Sequence, residues 1–422
     1  MPPRIYLDLS RLIYAIFTRT PVGIPRVELA YAEHFIANFP DRTTFVVVDA
    51  VRRFRVLDFK RGADFVAAIA DYWRGDVASD GRYFALILRH VRIHTELLFR
   101  SGNSLSKTVA GADEPGIYVI SSQLHMERPA PIERLKKDGK LRLAYFVHDI
   151  LPATLPEYFP RDAKDRCVRR MQATARLADI IIAGSRDTAH AFQKAFGQGQ
   201  RKLSIVVAPP GLSIPTIPPE PAQVSSASPY FVMVGTIEPR KNHLLLLKLW
   251  RTLHAELGQN APRLILIGSR GWENENVIDM LERSPALTSL VEERSRASDN
   301  EMAALVRGAR ALLMPSFAEG YGLPLAEALA LGAPVLCSDI AVFREVGGDV
   351  PEFIDPLDGP TWRQAIIDYV PADSKRRQTQ IQRLRDWRAP SWQRHFETII
   401  PVLDPANEQQ SRADDVATTK SQ

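Results

Sequence analysis

The chain has 422 residues, 45% hydrophobic and 24% charged, the composition of an ordinary soluble globular protein with enough length for two cores. Its net charge of +5 is unevenly spread: residues 1–217 carry 32 Lys and Arg against 22 Asp and Glu, and residues 218–422 carry 22 against 27. The two cysteines, Cys167 and Cys337, belong to no spaced ligand set, and no apolar run approaches the ~20 residues of a spanning helix. The start, MPPRIYLDLS, lacks the charged, apolar and small-residue order of a leader. A metal framework, a disulfide scaffold and a transmembrane protein are therefore not expected; a reduced, cytoplasmic setting is. The basic first half reads most simply as a mildly basic solvated surface, with an anionic membrane surface as the second reading; nucleic acid is not expected as a partner.

In chain order, IYLDL at 5–9 reads as a strand, followed by a helix from about Arg26 to Asn38 and a strand FVVVD at 45–49. Residues 82–100 read as an amphipathic basic helix, with Arg89, Arg92, Glu96 and Arg100 opposite Phe84, Ile87, Val91 and Leu98. Strands IYVIS at 117–121, LAYFVHD at 143–149, DIIIAGS at 179–185 and LSIVVAP at 203–209 follow. Short apolar runs separated by helical segments predict a parallel sheet covered on both faces. The proline- and serine-rich stretch from Pro209 to Pro229 breaks all periodicity and reads as a hinge. Alternation then resumes: YFVMVG at 230–235, a helix near 242–257, RLILIGS at 263–269, helices near 274–283 and 299–309, ALLMPS at 311–316, a helix near 324–331 and APVLCSD at 333–339. The expected organisation is α/β with two Rossmann-like doubly wound domains: 1–212, a linker at 213–229, 230–388, a C-terminal helix at 389–406 packing back on the first domain, and a disordered tail at 407–422.

Five junctions are candidates to carry chemistry. In Pro315-Ser-Phe-Ala-Glu-Gly-Tyr-Gly-Leu-Pro-Leu-Ala-Glu327 a strand gives way to a loop with Gly320 and Gly322, then to a helix with Pro324 where a first helical residue tolerates proline. Such a helix start presents unpaired N–H groups and a positive dipole end at the carboxyl edge of a parallel sheet, a place for phosphate. Glu319 and Glu327 reach the same cleft from different depths and can accept from sugar or ribose hydroxyls. In Gly235-Thr-Ile-Glu-Pro-Arg-Lys-Asn242, Arg240 and Lys241 place two cations where a diphosphate would lie. Strand LAYFVHD delivers His148 and Asp149 to a carboxyl edge of the first domain, and Val22-Gly23-Ile24-Pro25-Arg26 follows the first strand there. Ile267-Gly268-Ser-Arg-Gly271-Trp272 supplies a further glycine turn.

The frame P-S-x-x-E-G-x-G-L-P-x-x-E-A resembles the signature of family 4 glycosyltransferases, and G-x-x-E-P-R-K-N resembles their diphosphate-binding loop, with Thr236 standing where the commoner pattern has arginine. H-D-x-x-P-x-x-x-P-E-Y-F is similar to the donor-sugar side of their cleft. The resemblance implies the GT-B fold and a retaining transfer. Glu319, Arg240, Lys241 and His148 would be catalytic. Gly235, Thr236, Gly268, Gly320, Tyr321, Gly322, Leu323 and Glu327 would hold the donor, and Gly23, Arg26 and Asp149 would lie on the acceptor side. It further implies a nucleotide-sugar donor, GDP-mannose before a UDP-sugar, a glycan or lipid-linked oligosaccharide acceptor of bacterial surface-polysaccharide assembly, no cofactor, no divalent metal and a peripheral contact with the inner membrane face. A nucleotide-sugar epimerase or hydrolase, a phosphorylase and a non-catalytic sugar-nucleotide binder share the architecture and stay open.

Overall fold

The structure, a computed structural model, describes residues 2–17, 23–49, 51–74, 80–99, 104–198, 202–215, 228–295 and 297–404. Most of the expected linker and the whole expected tail lie outside these residues.

The first sheet is built from β1 (Arg4–Asp8), β2 (Thr43–Val48), β3 (Phe54–Leu57), β4 (Gly116–Ile120), β5 (Leu141–Val147), β6 (Ile180–Ala183) and β7 (Ile205–Val207), in the order β3-β2-β1-β4-β5-β6-β7. All neighbours are parallel except β2 and β3, which pair antiparallel, so the sheet is not wholly parallel as the sequence suggests. Strand β3 is a hairpin return at the edge, where one side of the ladder needs no partner. The second sheet comprises β8 (Tyr230–Val234), β9 (Arg263–Ile267), β10 (Val291–Arg294), β11 (Leu312–Met314), β12 (Val335–Ser338) and β13 (Glu352–Ile354). Its order, β10-β9-β8-β11-β12-β13, is that of a doubly wound dinucleotide-type sheet, and all its pairs are parallel.

The central strands β5 and β8 are largely apolar because both of their faces are covered. In β5, Ala144 and Phe146 enter one hydrophobic cluster, while Leu143, Tyr145 and Val147 enter another on the opposite face. In β8, Phe231 and Met233 separate from Tyr230 and Val232 in the same way. With both faces of each sheet covered, the carboxyl ends of the strands are left to border the cleft between the domains.

The helix Trp392–Leu403 buries Phe396, Ile399 and Leu403 in the core of the first domain, beside Tyr31 and Phe35. Each such side chain contributes about 1.5–3 kcal/mol by leaving water. His395 Nε2 lies 2.8 Å from the Tyr31 hydroxyl, tying the chain end to the helix Ile24–Asn38.

One helix presents a different face from the one its sequence suggests. In the helix Asp80–Phe99, the core side is Leu86, Ile93 and Leu97, whereas Phe84 is 64% and Val91 52% exposed. Apolar residues surround this helix, so packing against the helix Phe59–Arg74 and strand β3, rather than periodicity, decides which go in. Glu96 also turns inward, pairing with Arg61.

Candidate active site

A cavity of about 900 Å³ lies between the two carboxyl edges, large enough for a nucleotide with a sugar attached. Every site residue expected from the sequence lines it: Glu319, Arg240, Lys241, His148, Gly235, Thr236, Gly268, Gly320, Tyr321, Gly322, Leu323, Glu327, Gly23, Arg26 and Asp149.

On the second-domain wall, the loops after β8 and β11 flank the point where strand order reverses. The chain leaves β8 through Gly235, at φ 144°, and a Cβ there would stand 3.2 Å from Lys241 Cε, so glycine lets the lysine pass over the strand end. Lys241 then points its ammonium at Glu319, with Nζ 2.6 Å from Oε1. The other carboxylate oxygen receives Arg240 Nη1 at 2.5 Å, and Ser316 Oγ donates to Oε1 at 2.9 Å. Burial pushes the Glu319 carboxyl up, but Arg240 and Lys241 together outweigh it and hold it at about 2. Arg240 is shared further: Nη2 meets Glu238 at 2.5 Å and Nη1 donates to the Ala318 carbonyl at 2.8 Å. The two cations are thus held at the sheet edge by carboxylates, with Arg240 more fully committed than Lys241.

The helix Leu323–Ala330 begins at Gly322 and places its first turn on the cavity wall. Glu327 sits beyond that first turn, so it is not a simple complement to the helix dipole. Burial raises its carboxyl above the usual range, Arg26 opposes this, and Asp299 adds to it. Arg26 comes from the other domain: Nη1 lies 2.9 Å from Glu327 and Nη2 lies 2.6 Å from Asp299.

On the first-domain wall, His148 is fixed by its backbone N–H to Gln123 Oε1 at 2.7 Å and by its ring Nε2 to the Ser121 carbonyl at 2.7 Å. That carbonyl can only accept, so Nε2 carries the ring proton and Nδ1 is left as an acceptor. Burial lowers the His148 pKa to about 4, which keeps the ring neutral at physiological pH. Asp149 caps Leu151 N at 3.1 Å, and its Cβ lies against Gly320.

The two domains meet at Gly320. A Cβ there would come within 2.7 Å of the His148 carbonyl oxygen and 2.8 Å of Asp149 Cβ, so only glycine lets the walls close to this distance. Its carbonyl accepts from Ser185 Oγ at 3.0 Å and Thr188 Oγ1 at 3.1 Å. The first domain therefore orients the loop that opens the helix Leu323–Ala330. Nearby, Glu345 accepts from Arg186 N at 2.8 Å, and Trp272 Nε1 donates to the Tyr158 carbonyl at 3.0 Å.

Residues 219–369 match the family described as Glycosyl transferases group 1. The second domain is a group 1 glycosyl transferase domain. Over 254 residues the chain is 30% identical to O-antigen chain mannosyltransferase B of Escherichia coli, covering 58% of this chain and 66% of that one. It is 26% identical over 326 residues to the serotype-specific mannosyltransferase WbdA of Escherichia coli, covering 71% of this chain and 39% of that one. The chain thus spans less than two thirds of the length of these relatives. The crystal structure of HepE from Anabaena in complex with UDP and glucose superposes over 99% of this chain and 100% of that one, at a TM-score of 0.59 and 16% identity. That likeness shows the fold, which is GT-B.

Several residues in and beside this cleft carry no clear signal in the sequence. Glu238 and Asp299 line the cavity but read as unremarkable loop and helix-start acids. Ser185 and Thr188 had a local signal, since Ser185 caps the helix Arg186–Phe196 through Thr188 N, but nothing local pointed them across the cleft.

Proposed function

We propose that this protein is a retaining hexosyltransferase that moves mannose from GDP-mannose to a glycan or lipid-linked oligosaccharide during bacterial surface-polysaccharide assembly. The observation that carries this is the convergence on one interdomain cavity of Lys241, Arg240, the start of the helix Leu323–Ala330 and the carboxylates Glu319 and Glu327, opposite a neutral His148. The mannosyltransferase names of the relatives support the choice of sugar.

In this reading the diphosphate lies against Lys241, Arg240 and the N–H groups near Gly322, which stabilise the negative charge that grows as the glycosidic bond breaks. Glu327 accepts from ribose hydroxyls and Glu319 from the sugar, after giving up part of its hold on the two cations. His148 Nδ1 accepts from a sugar hydroxyl. The acceptor oxygen attacks from the same face as the departing diphosphate, which takes its proton, so configuration is kept. Protein cations neutralise the leaving group and no divalent metal is required; a chelator should leave the rate unchanged. The interdomain seat at Gly320 excludes water from the activated sugar.

A peripheral contact with an anionic membrane, from the cytoplasmic side, belongs to the same reading. What supports it is a surface beside the cleft. Phe17 is 74% exposed and also lines the cavity, and it stands edge-on to His90 of the helix Asp80–Phe99, whose outer face carries Phe84, Leu88 and Val91 with exposed Arg82 and Arg92. Apolar side chains interleaved with arginine suit anionic headgroups. Among the described residues no helix is long and apolar enough to cross a membrane.

The test is release of nucleoside diphosphate from GDP-mannose and from UDP-sugars, with and without an oligosaccharide acceptor, while the anomeric configuration of the product is read by NMR. GDP release that depends on acceptor and yields an α-mannoside is expected. Release of free sugar alone, or consumption of inorganic phosphate, would replace this reading with the hydrolase or phosphorylase one.

A further inference from the structure

The cleft is bridged by a forked ion pair whose partners come from both domains. Arg26 is the third residue of the helix Ile24–Asn38, which starts at Gly23 on the cavity wall. Its guanidinium reaches across to the second domain and divides itself between Glu327 Oε1 at 2.9 Å and Asp299 Oδ1 at 2.6 Å. The three side chains are only 18%, 14% and 27% exposed, so water screens little of this interaction. Burial drives both carboxyls toward the neutral form, and Arg26 opposes it at both.

A ribose diol is best held by both oxygens of one carboxylate, and Oε1 of Glu327 already accepts a charged hydrogen bond from Arg26 Nη1, which crowds the approach of a second donor. We propose that Arg26 is a clasp that the donor must displace: ribose and guanidinium contend for Glu327, and binding of the nucleotide shifts Arg26 onto Asp299. The proposal rests on Glu327 being the ribose acceptor, as argued above. It gives Asp299 a task, to hold the displaced cation near the cavity so that its charge is not stranded. It also gives the cycle a way to shed product. Once the sugar has left, the nucleoside diphosphate is held by fewer contacts, and Arg26 competes for its ribose site from a position a few ångströms away. A salt bridge serving only to join the domains would not distinguish one nucleotide sugar ring from another. The clasp must.

The experiment is calorimetric titration of the full chain with GDP and with 2′,3′-dideoxy-GDP, and with the matching UDP pair. The variants are Arg26→Gln and Asp299→Asn. The readout is the ratio of ribo to dideoxy affinity, because a change in cavity charge acts on both ligands alike. In Arg26→Gln, with the competitor gone, the ratio should rise about tenfold. In Asp299→Asn, with the guanidinium left to Glu327 alone, it should fall severalfold. If Arg26→Gln does not fold, the fall in Asp299→Asn decides the matter. An unchanged ratio in a variant that binds nucleotide overturns the clasp and leaves the transferase reading standing. A wild type that binds neither GDP nor UDP overturns the nucleotide reading, and the clasp with it.

Discussion

The two walls of the cleft are built on different electrostatic principles. The second-domain wall is a closed circuit of charge, in which Glu238, Arg240, Glu319 and Lys241 are paired with one another before any ligand arrives. On the first-domain wall His148 is neutral, held by a backbone carbonyl and the Gln123 side chain and backed by the stacked ring of Phe146 at 4.3 Å. A site for a diphosphate needs cations already in position, and cations at a sheet edge need carboxylates to hold them. The first domain's Arg26, by contrast, spends its charge on Glu327 and Asp299 of the opposite wall. In the proposed reaction this puts the cations that stabilise bond breaking on one wall and a neutral sugar contact, His148, on the other.

Acid should separate the two walls most sharply. Burial lowers His148, His34 and His395, all packed in the first domain, to about 4 from an ordinary 6.5. Their neutral forms stabilise the fold above pH ~6.5, and that contribution is lost as pH falls from there toward 4, with up to about three protons taken up on unfolding. Glu319, held at about 2, contributes stability above its unfolded value near 4.5 that is lost only below it. His243, at about 3, adds one such group to the second domain. Hydrogen exchange followed by mass spectrometry between pH 7 and 4 should show β1, β4 and β5 losing protection before β8 and β11. Simultaneous loss would remove the distinction.

Lys241→Ala comes next in size. It removes one cation from the leaving-group position, and by comparison with other preorganised charge stabilisers kcat should fall ~10²–10³-fold. His148→Ala should cost less in initial rates, because it removes a neutral contact to a hydroxyl. A larger loss at His148 than at Lys241 would reverse the assignment of the walls.

Gly320→Ala tests the seat between the walls. The added Cβ meets backbone and Cβ atoms that cannot step aside, so the domains must part, at a cost of about 1–3 kcal/mol. A matching drop in melting temperature is expected, together with a raised KM for the donor. The smallest effect belongs to Thr188→Val, which deletes one hydroxyl from the Gly320 carbonyl while Ser185 Oγ remains, worth about 0.5–1.5 kcal/mol by thermal denaturation.

The second-domain wall was legible in the sequence because its groups are local: Gly235 and Lys241 share one loop, and Glu319, Gly322 and Glu327 share one loop and the helix that follows it. Spacing within a strand, loop and helix start fixes which side chains face the carboxyl edge. The Arg26 contact was not legible, since it joins residue 26 to residues 299 and 327 through two separate domains. Strand β10, Val-Glu-Glu-Arg, was missed because an edge strand needs few apolar residues. The helix Asp80–Phe99 was assigned the wrong core face because Phe84, Leu86, Leu88, Val91, Ile93 and Leu97 leave no single apolar stripe. Its Leu98 and Arg100 side chains fall outside those described.

The central claim, that the nucleotide rests on the second-domain wall, is tested most directly by hydrogen exchange on the full chain with and without saturating GDP. New protection is expected of the backbone amides in residues 235–242 and 319–327, and none in the first-domain segment 146–149 until a complete sugar nucleotide is supplied. Protection centred on 146–149 and the start of the helix Ile24–Asn38, with 235–242 and 319–327 unchanged, would contradict it.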